Sequence, residues 1–219
     1  MEKAILDNYN SPEGAESYTG KFERHWIERI NNVREQRLIR ELLSDIPQCE
    51  IALDLPCGYG RLYPLLKGVS TRVVEGDWSF YMLKEARRRL NRGEESERSG
   101  GFVRATAFNL PFSDRTFGLV FSVRLCHHIS SHDERMQYVR EILRISARSV
   151  IFTYFDTDSV KNRVHRFKRR FAKRTPKCTL ARSDIERIAG ESGFEIKRSV
   201  PLSRLFSGHQ YTVLRRITD

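Results

Sequence analysis

Apolar and polar positions alternate along this chain in two rhythms, one helical and one extended. Phe22, Trp26, Ile30, Val33, Leu38 and Leu42 recur at helical spacing with charges between them, which predicts a helix over Lys21 to Ser44. Pro47 lies just beyond its end. Ile51 to Leu55 is a short apolar run, a buried strand entering the turn Pro56-Cys57-Gly58-Tyr59-Gly60, with a helix starting over Leu62 to Lys67. Arg72 to Asp77 predicts a second strand ending on an acid, and Ser79 suits the N-cap of a helix over Phe80 to Leu90. Asn91 to Gly101 is polar and glycine-rich, hence an exposed loop. Strands follow over Phe102–Ala107, Phe117–Val123 and Ser149–Phe155, with a helix over Asp133–Ile145 before the last of them. A basic segment comes next, then a helix over about Ser183 to Ser192 stopped by Gly193. Two strands, Phe194–Val200 and Gln210–Ile217, close the chain.

Strands thus alternate with helices, the pattern of an α/β fold with a doubly wound, mostly parallel sheet of seven strands and helices on both faces. No helix separates the last two strands, so at least one of them pairs antiparallel. With 219 residues, 39% apolar and 11% aromatic, the chain can bury one sizeable core, and a single globular domain is expected. Its parts would be an N-terminal helical cap over 1–48, a core over 49–156, a basic cap over 157–182, and a helix with a strand pair over 183–219. No apolar run approaches the roughly 18 residues needed to cross a bilayer. Met1 to Asn10 has no apolar signal core. Cys49, Cys57, Cys126 and Cys178 form no Cys-x-x-Cys pair, which argues against a disulfide framework and a structural zinc site and fits a reducing cytoplasm.

The candidate chemistry begins at Asp54-Leu-Pro-Cys-Gly58-Tyr-Gly60, at the carboxyl end of the first strand, the edge where doubly wound sheets bind ligands. Glycines there admit a ligand close to the backbone, and the following helix start offers free N–H groups. Asp77 ends the second strand, 17 residues beyond Gly60, where a carboxylate can accept both hydroxyls of a ribose. A dinucleotide site wants Gly-x-Gly-x-x-Gly and no acid in the turn, because the turn faces a pyrophosphate. Here the third glycine is missing, and Asp54 suits a positively charged ligand end. The spacing favours S-adenosylmethionine (SAM) over a nicotinamide dinucleotide. Against this stand plainer readings: a tight turn for the glycines, and a helix N-terminal acid for Asp77.

Four ordered blocks make the pattern specific: Ala52 to Gly60, Val74 to Leu83, Asn109 to Val120, and Leu125-Cys-His-His-Ile129. Together they resemble the class I SAM-dependent methyltransferases, most closely the type 11 group that includes quinone-biosynthesis enzymes. The resemblance implies a Rossmann-like fold and methyl transfer from SAM. Position by position, it implies that Asp54, Cys57, Gly58 and Gly60 hold the methionine end and Asp77 the ribose. Trp78 would pack on the adenine, with Ala107, Phe108 and Val123 lining the pocket. Thr106 stands where many relatives carry an acid, and Gly118 replaces the usual Asp after Phe117. His128 and Tyr18 are the candidate bases if the acceptor must first lose a proton, against structural packing for the His127-His128 pair and a surface role for Tyr9 and Tyr18. No ligand spacing supports a metal.

Charge then changes the picture. The formal net charge is +11, from 39 Lys and Arg against 28 Asp and Glu. From Lys161 to Arg182 there are ten basic residues and no acid, among them Lys161, Arg166, Lys168, Arg169 and Arg170. Val160, Val164, Phe167 and Phe171 fall at helical spacing within this stretch. A basic amphipathic helix over the carboxyl edge of the sheet would recruit an anionic substrate or an anionic membrane surface. The plainer reading packs the stripe on the core and leaves the charges solvated. The acceptor is then a small or lipid-like molecule, and the protein cytoplasmic, peripheral at the membrane if the segment meets one. The competing readings are an RNA methyltransferase, argued from charge, and a SAM-binding protein without catalysis, argued from Thr106 and Gly118.

Overall fold

A computed structural model describes residues 10–14, 26–90, 99–168, 178–203 and 207–217. The elements in chain order are α1 (Trp26–Leu43), β1 (Cys49–Asp54), α2 (Tyr63–Leu66), β2 (Ser70–Asp77), α3 (Phe80–Leu90), β3 (Ser99–Arg104) and β4 (Phe117–Ser122). A 3-10 turn (Cys126–His128) leads to α4 (His132–Arg144), β5 (Ser146–Asp156), α5 (Val160–Lys168), β6 (Thr179–Leu180), α6 (Arg182–Glu191), β7 (Phe194–Pro201) and β8 (His209–Arg216). The strands lie in the order β3-β2-β1-β4-β5-β8-β7, and the two-residue β6 pairs with β5 off that path. Strands β1 to β5 run parallel, and β8 is antiparallel to both β5 and β7. This is the expected doubly wound α/β sheet, with the C-terminal strand pair supplying the antiparallel element.

Alternation along the strands divides the core in two. Leu53 and Leu55 face a cluster with Tyr138, Val139, Ile142, Ile185 and Ile188, the buried sides of α4 and α6. Ala52 faces the other cluster, with Ile39, Leu42, Tyr63 and Leu66 of α1 and α2. Successive strand side chains point to opposite faces, so β1 is apolar throughout because both faces are covered. Ser131 caps α4, its hydroxyl accepting from the Glu134 N–H at 3.4 Å.

Several boundaries differ from expectation. The third strand spans Ser99–Arg104 rather than 102–107, so Ala105 to Ala107 leave the sheet and become available to a site. The helix after the glycine turn is a single turn, Tyr63–Leu66. The apolar positions of the first helix do not share one face. Ile39 and Leu42 are fully buried, whereas Ile30 and Val33 are 47% and 67% exposed. At 3.6 residues per turn, Ile39 and Leu42 share their side of α1 with Glu35, which is itself fully buried. Gly118 has a packing reason: a Cβ there would lie 2.5 Å from Cys49 Cβ on the neighbouring strand. Residues 21–25, the start of the expected first helix, and 91–98, most of the expected loop, lie outside the described residues.

Candidate active site

Strand β1 delivers the chain into the turn with Leu55 N–H bonded to Phe121 O at 2.9 Å, and Cys57 N–H bonds Gly76 O at 2.8 Å. The turn is thereby tied to β4 and β2 at their carboxyl ends. The Leu55–Pro56 peptide is cis. Gly58 and Gly60 adopt φ of 56° and 73°, the left-handed region that a side chain would strain. Gly60 also packs on α3, where an added Cβ would lie 3.5 Å from Ala86 Cβ.

Asp77 locks the turn to β2. One carboxylate oxygen accepts the Gly58 N–H at 3.0 Å and the other accepts the Ser79 N–H at 2.8 Å. Burial pushes its pKa up to about 6, even though those backbone donors favour the charged form. Asp54 and Glu75 lie beneath, side by side in the β1–β2 register. Burial, then the charge of a neighbouring acid (Asp77 for Asp54, Asp54 for Glu75), raises both well above the usual carboxylate range. Arg61 partly offsets this for Asp54. One Asp54 oxygen and both Glu75 oxygens accept no N–H or O–H bond among the described residues; the weakly donating Cys57 thiol is the group beside Glu75.

A cavity of about 430 Å³ opens over this turn, within the size range of small-molecule sites. One end is formed by Asp77, Trp78, Ser79, Met82 and Ala105 to Phe108, and the middle by Leu55 to Tyr59 with Arg61 and Leu62. The far end is Val123, Arg124, Leu125, His127, His128 and His209. Of the expected cofactor residues, Cys57, Gly58, Asp77, Trp78, Ala107, Phe108 and Val123 line this one cavity. Asp54 and Gly60 do not reach its wall and support it from behind. Trp78 is 41% exposed, its carbonyl accepting from Arg104 Nε at 3.0 Å. Thr106 also lines the cavity, and its hydroxyl accepts the Phe108 N–H at 3.4 Å.

The far end is an aromatic wall. The His127 ring lies 4.1 Å from His128, 4.6 Å from Phe155 and 4.7 Å from His209, the last edge-on. Burial, then neighbouring positive groups, lowers the pKa of His127 to about 2 and that of His209 to about 4, so both are neutral near pH 7. Behind the wall, Arg124 and Arg61 converge on Glu35 of α1. Arg124 donates through Nε at 2.8 Å and Nη2 at 2.9 Å, Arg61 through Nη2 at 2.9 Å, and Tyr211 through its hydroxyl. Burial works against the Glu35 charge, but Arg124 and Arg61 outweigh it and hold its pKa below the ordinary value. Arg124 itself has φ 67°, fixed by its N–H to Thr153 Oγ1 at 2.7 Å.

Sequence reasoning missed His209, Arg124, Arg61, Glu35 and Glu75. Arg61 stood just beyond the first quoted block and Glu75 inside the second, and a charge within an apolar strand and its turn was the available signal. His209 carries no local signal, because only the β5–β8 register places it opposite Phe155. Of the remaining candidates, Lys161 and Lys168 are exposed on α5, Arg166 lies on α5 with its side chain outside the described residues, and Tyr9, Tyr18, Arg169 and Arg170 lie outside them altogether.

A ligand edge at the carboxyl ends of β1, β2 and β4, a glycine turn and an acid ending β2 together define a nucleoside-binding α/β domain of the methyltransferase type. A family model described as a methyltransferase domain matches residues 53–153, a little under half of the chain. The chain is similar to demethylmenaquinone methyltransferase of Thermobifida fusca, 31% identical over 105 residues, 47% of this chain and 42% of that protein. It is also similar to the probable tRNA methyltransferase 9B of Mus musculus, 28% identical over 109 residues, 50% of this chain and 22% of that protein. The chain thus matches less than half the length of either relative. Among solved structures, magnesium protoporphyrin IX methyltransferase from Synechocystis with bound S-adenosylhomocysteine (SAH) shares the fold. Its TM-score is 0.80 at 17% identity, over 99% of this chain and 100% of that one.

Proposed function

We propose that the chain transfers the methyl group of SAM to a small or lipid-like acceptor held against the histidine wall. The observation that carries this reading is the single cavity joining the glycine turn and Asp77 to His127, His128 and His209. The residues present fit the cofactor. Each Asp77 oxygen accepts one backbone N–H and keeps a lone pair for a ribose hydroxyl. Trp78, Ala107 and Phe108 offer apolar surface to an adenine. Burial makes ionisation of the under-partnered acids Asp54 and Glu75 costly, and a cationic ligand above the turn would favour their charged forms. Residues 49–156 would be the cofactor-binding core of a single domain.

SAM brings a methyl group already activated on sulfonium, so the protein's task is positioning and exclusion of water. Cys57 and Gly58 hold the methionine end, with Gly60 and Asp54 behind them. Val123, Leu125 and the histidine wall confine the acceptor. His127 and His209, both neutral, give that wall flat uncharged faces. His128, which lines the cavity, is the residue placed to accept a proton from the acceptor.

Calorimetry with SAM and SAH tests the cofactor. Asp77→Ala and Gly58→Val are expected to weaken binding by on the order of a hundredfold, from lost hydrogen bonds to a charged group and from a strained turn. Unchanged affinity in both variants would remove the cofactor assignment. A transfer screen with labelled SAM across lipid, metabolite and RNA fractions then reads the acceptor. RNA is the second reading, favoured by the +11 charge and by the resemblance to a tRNA methyltransferase. Binding of SAM with no transfer to any fraction would leave a cofactor-binding protein without catalysis.

A further inference from the structure

Helix α5 is built inside out. Asn162 is 4% exposed, although it is the polar residue, and its amide donates to Asp156 O at 2.7 Å. It also seats against the backbone before β8: a Cβ on Gly208 would lie 2.8 Å from Asn162 Nδ2. Val160, Val164 and Phe167 are 53%, 46% and 59% exposed. At about 100° per residue these three fall on one stripe, nearly opposite Asn162. Lys161 and Lys168 flank the stripe on one side and Arg163 on the other, all three exposed. The acids Asp156 and Asp158 stand before the helix, and the sequence beyond it adds Arg169, Arg170, Lys173, Arg174 and Lys177, with no acid before Asp184. The plainer expectation, that the stripe packs on the core, does not hold for the described residues.

We infer that α5 docks on an anionic lipid surface, with Val160, Val164 and Phe167 entering the apolar boundary and Lys161, Arg163 and Lys168 meeting the headgroups. A lipid surface rewards both parts of the pattern, apolar area and cations alike. A polyphosphate strand rewards only the cations and leaves two valines in water, since valine offers no ring for a base to stack on. The helix itself lies close to the cavity, on the side away from the docked face. Asn162 braces Gly208, His209 follows in the cavity wall, and the Lys161 charge acts on His209. The docking itself does not depend on the methyl-transfer reading.

Co-sedimentation of the full chain with phosphatidylcholine vesicles, with and without phosphatidylglycerol, tests it. The chain is expected to bind the anionic vesicles and to bind neutral ones far more weakly. Val164→Asn with Phe167→Asn, at unchanged charge, should lower the partition about tenfold or more. Lys161→Gln, Arg163→Gln and Lys168→Gln together should lower it about a hundredfold and reduce its salt dependence. Unchanged SAH affinity, or an unchanged unfolding midpoint should SAH not bind, shows that the variants fold. The inference is overturned by no binding of the wild-type chain to anionic vesicles at low salt, or by equal binding of the Val164/Phe167 variant. It is also overturned if RNA binds more tightly than vesicles and ignores that variant.

Discussion

Glu35 and Glu75 are both fully buried carboxylates, and the chain treats them in opposite ways. Glu35 receives two arginines and a tyrosine hydroxyl, drawn from the glycine turn, the end of β4 and the middle of β8. Glu75 accepts no N–H or O–H bond among the described residues and shares its surroundings with two more acids, Asp54 and Asp77. The first arrangement is complete without a ligand and clamps α1 to the sheet behind the cavity. The second is short of partners, holds its protons more tightly than free carboxylates do, and sits under the turn whose glycines admit a ligand. A buried charge with every partner present is architecture, and a set of buried charges short of partners marks where a cation belongs.

The largest expected effect comes from breaking the complete site. Glu35→Ala removes the carboxylate shared by Arg61 and Arg124, whose side chains are 10% and 22% exposed. A loss of about 3–5 kcal/mol is expected in urea unfolding, the cost of removing one partner from a buried pair. A loss below about 1 kcal/mol would refute the clamp, because that is the scale of a surface pair.

The two sites also respond to pH with opposite sign. Glu35 has a lowered pKa, so its contribution is present above the ordinary carboxylate value and is lost as pH falls through the lowered folded one. The acids under the turn have raised values, so the folded state holds protons that the unfolded chain has released. Stability therefore declines as pH rises from the ordinary value to the raised one. For Asp77, between 3.8 and about 6, the decline amounts to about 3 kcal/mol. Glu75→Gln should remove the Glu75 share and make the empty protein more stable than wild type above neutral pH. A variant with the wild-type pH profile of unfolding would show that Glu75 is not the strained member.

Ligand binding sharpens the contrast at smaller cost. If SAM requires the Asp77 carboxylate ionised, its affinity should fall about tenfold per pH unit below pH 6, with proton release visible by calorimetry across buffers. Affinity flat from pH 5 to 8 would show that binding does not need the Asp77 carboxylate ionised. The smallest effect concerns the histidine wall. With His127 near 2 and His209 near 4, kcat at saturating SAM should show no titration from either between pH 5 and 8. If a step in that range is present in the wild type and removed by His209→Asn, the neutral wall is wrong.

Local pattern carried the reading furthest where chemistry and backbone geometry coincide in a few consecutive residues. The β1 turn and the β2 acid were legible because a positive φ demands glycine and a strand-ending carboxylate has few competing uses. The strands were legible because both faces of the sheet are covered and demand apolar runs. The first helix was read only in part, since a period of 3.6 cannot tell which face finds the core when a buried glutamate sits on that face. Arg61 and Arg124, supplied by segments far along the chain, made that burial tolerable.

Chain order alone therefore established the β-α alternation, the nucleoside edge and the family pattern, all of which depend on neighbours a few residues apart. Folding in three dimensions decided the rest. It set His209 opposite Phe155 through the antiparallel β5–β8 register, paired Glu35 with distant arginines, and turned the apolar stripe of α5 outward by seating Asn162 against Gly208. Each of these is a contact between segments remote in sequence, and side-chain periodicity within one element holds no information about what another element brings to meet it.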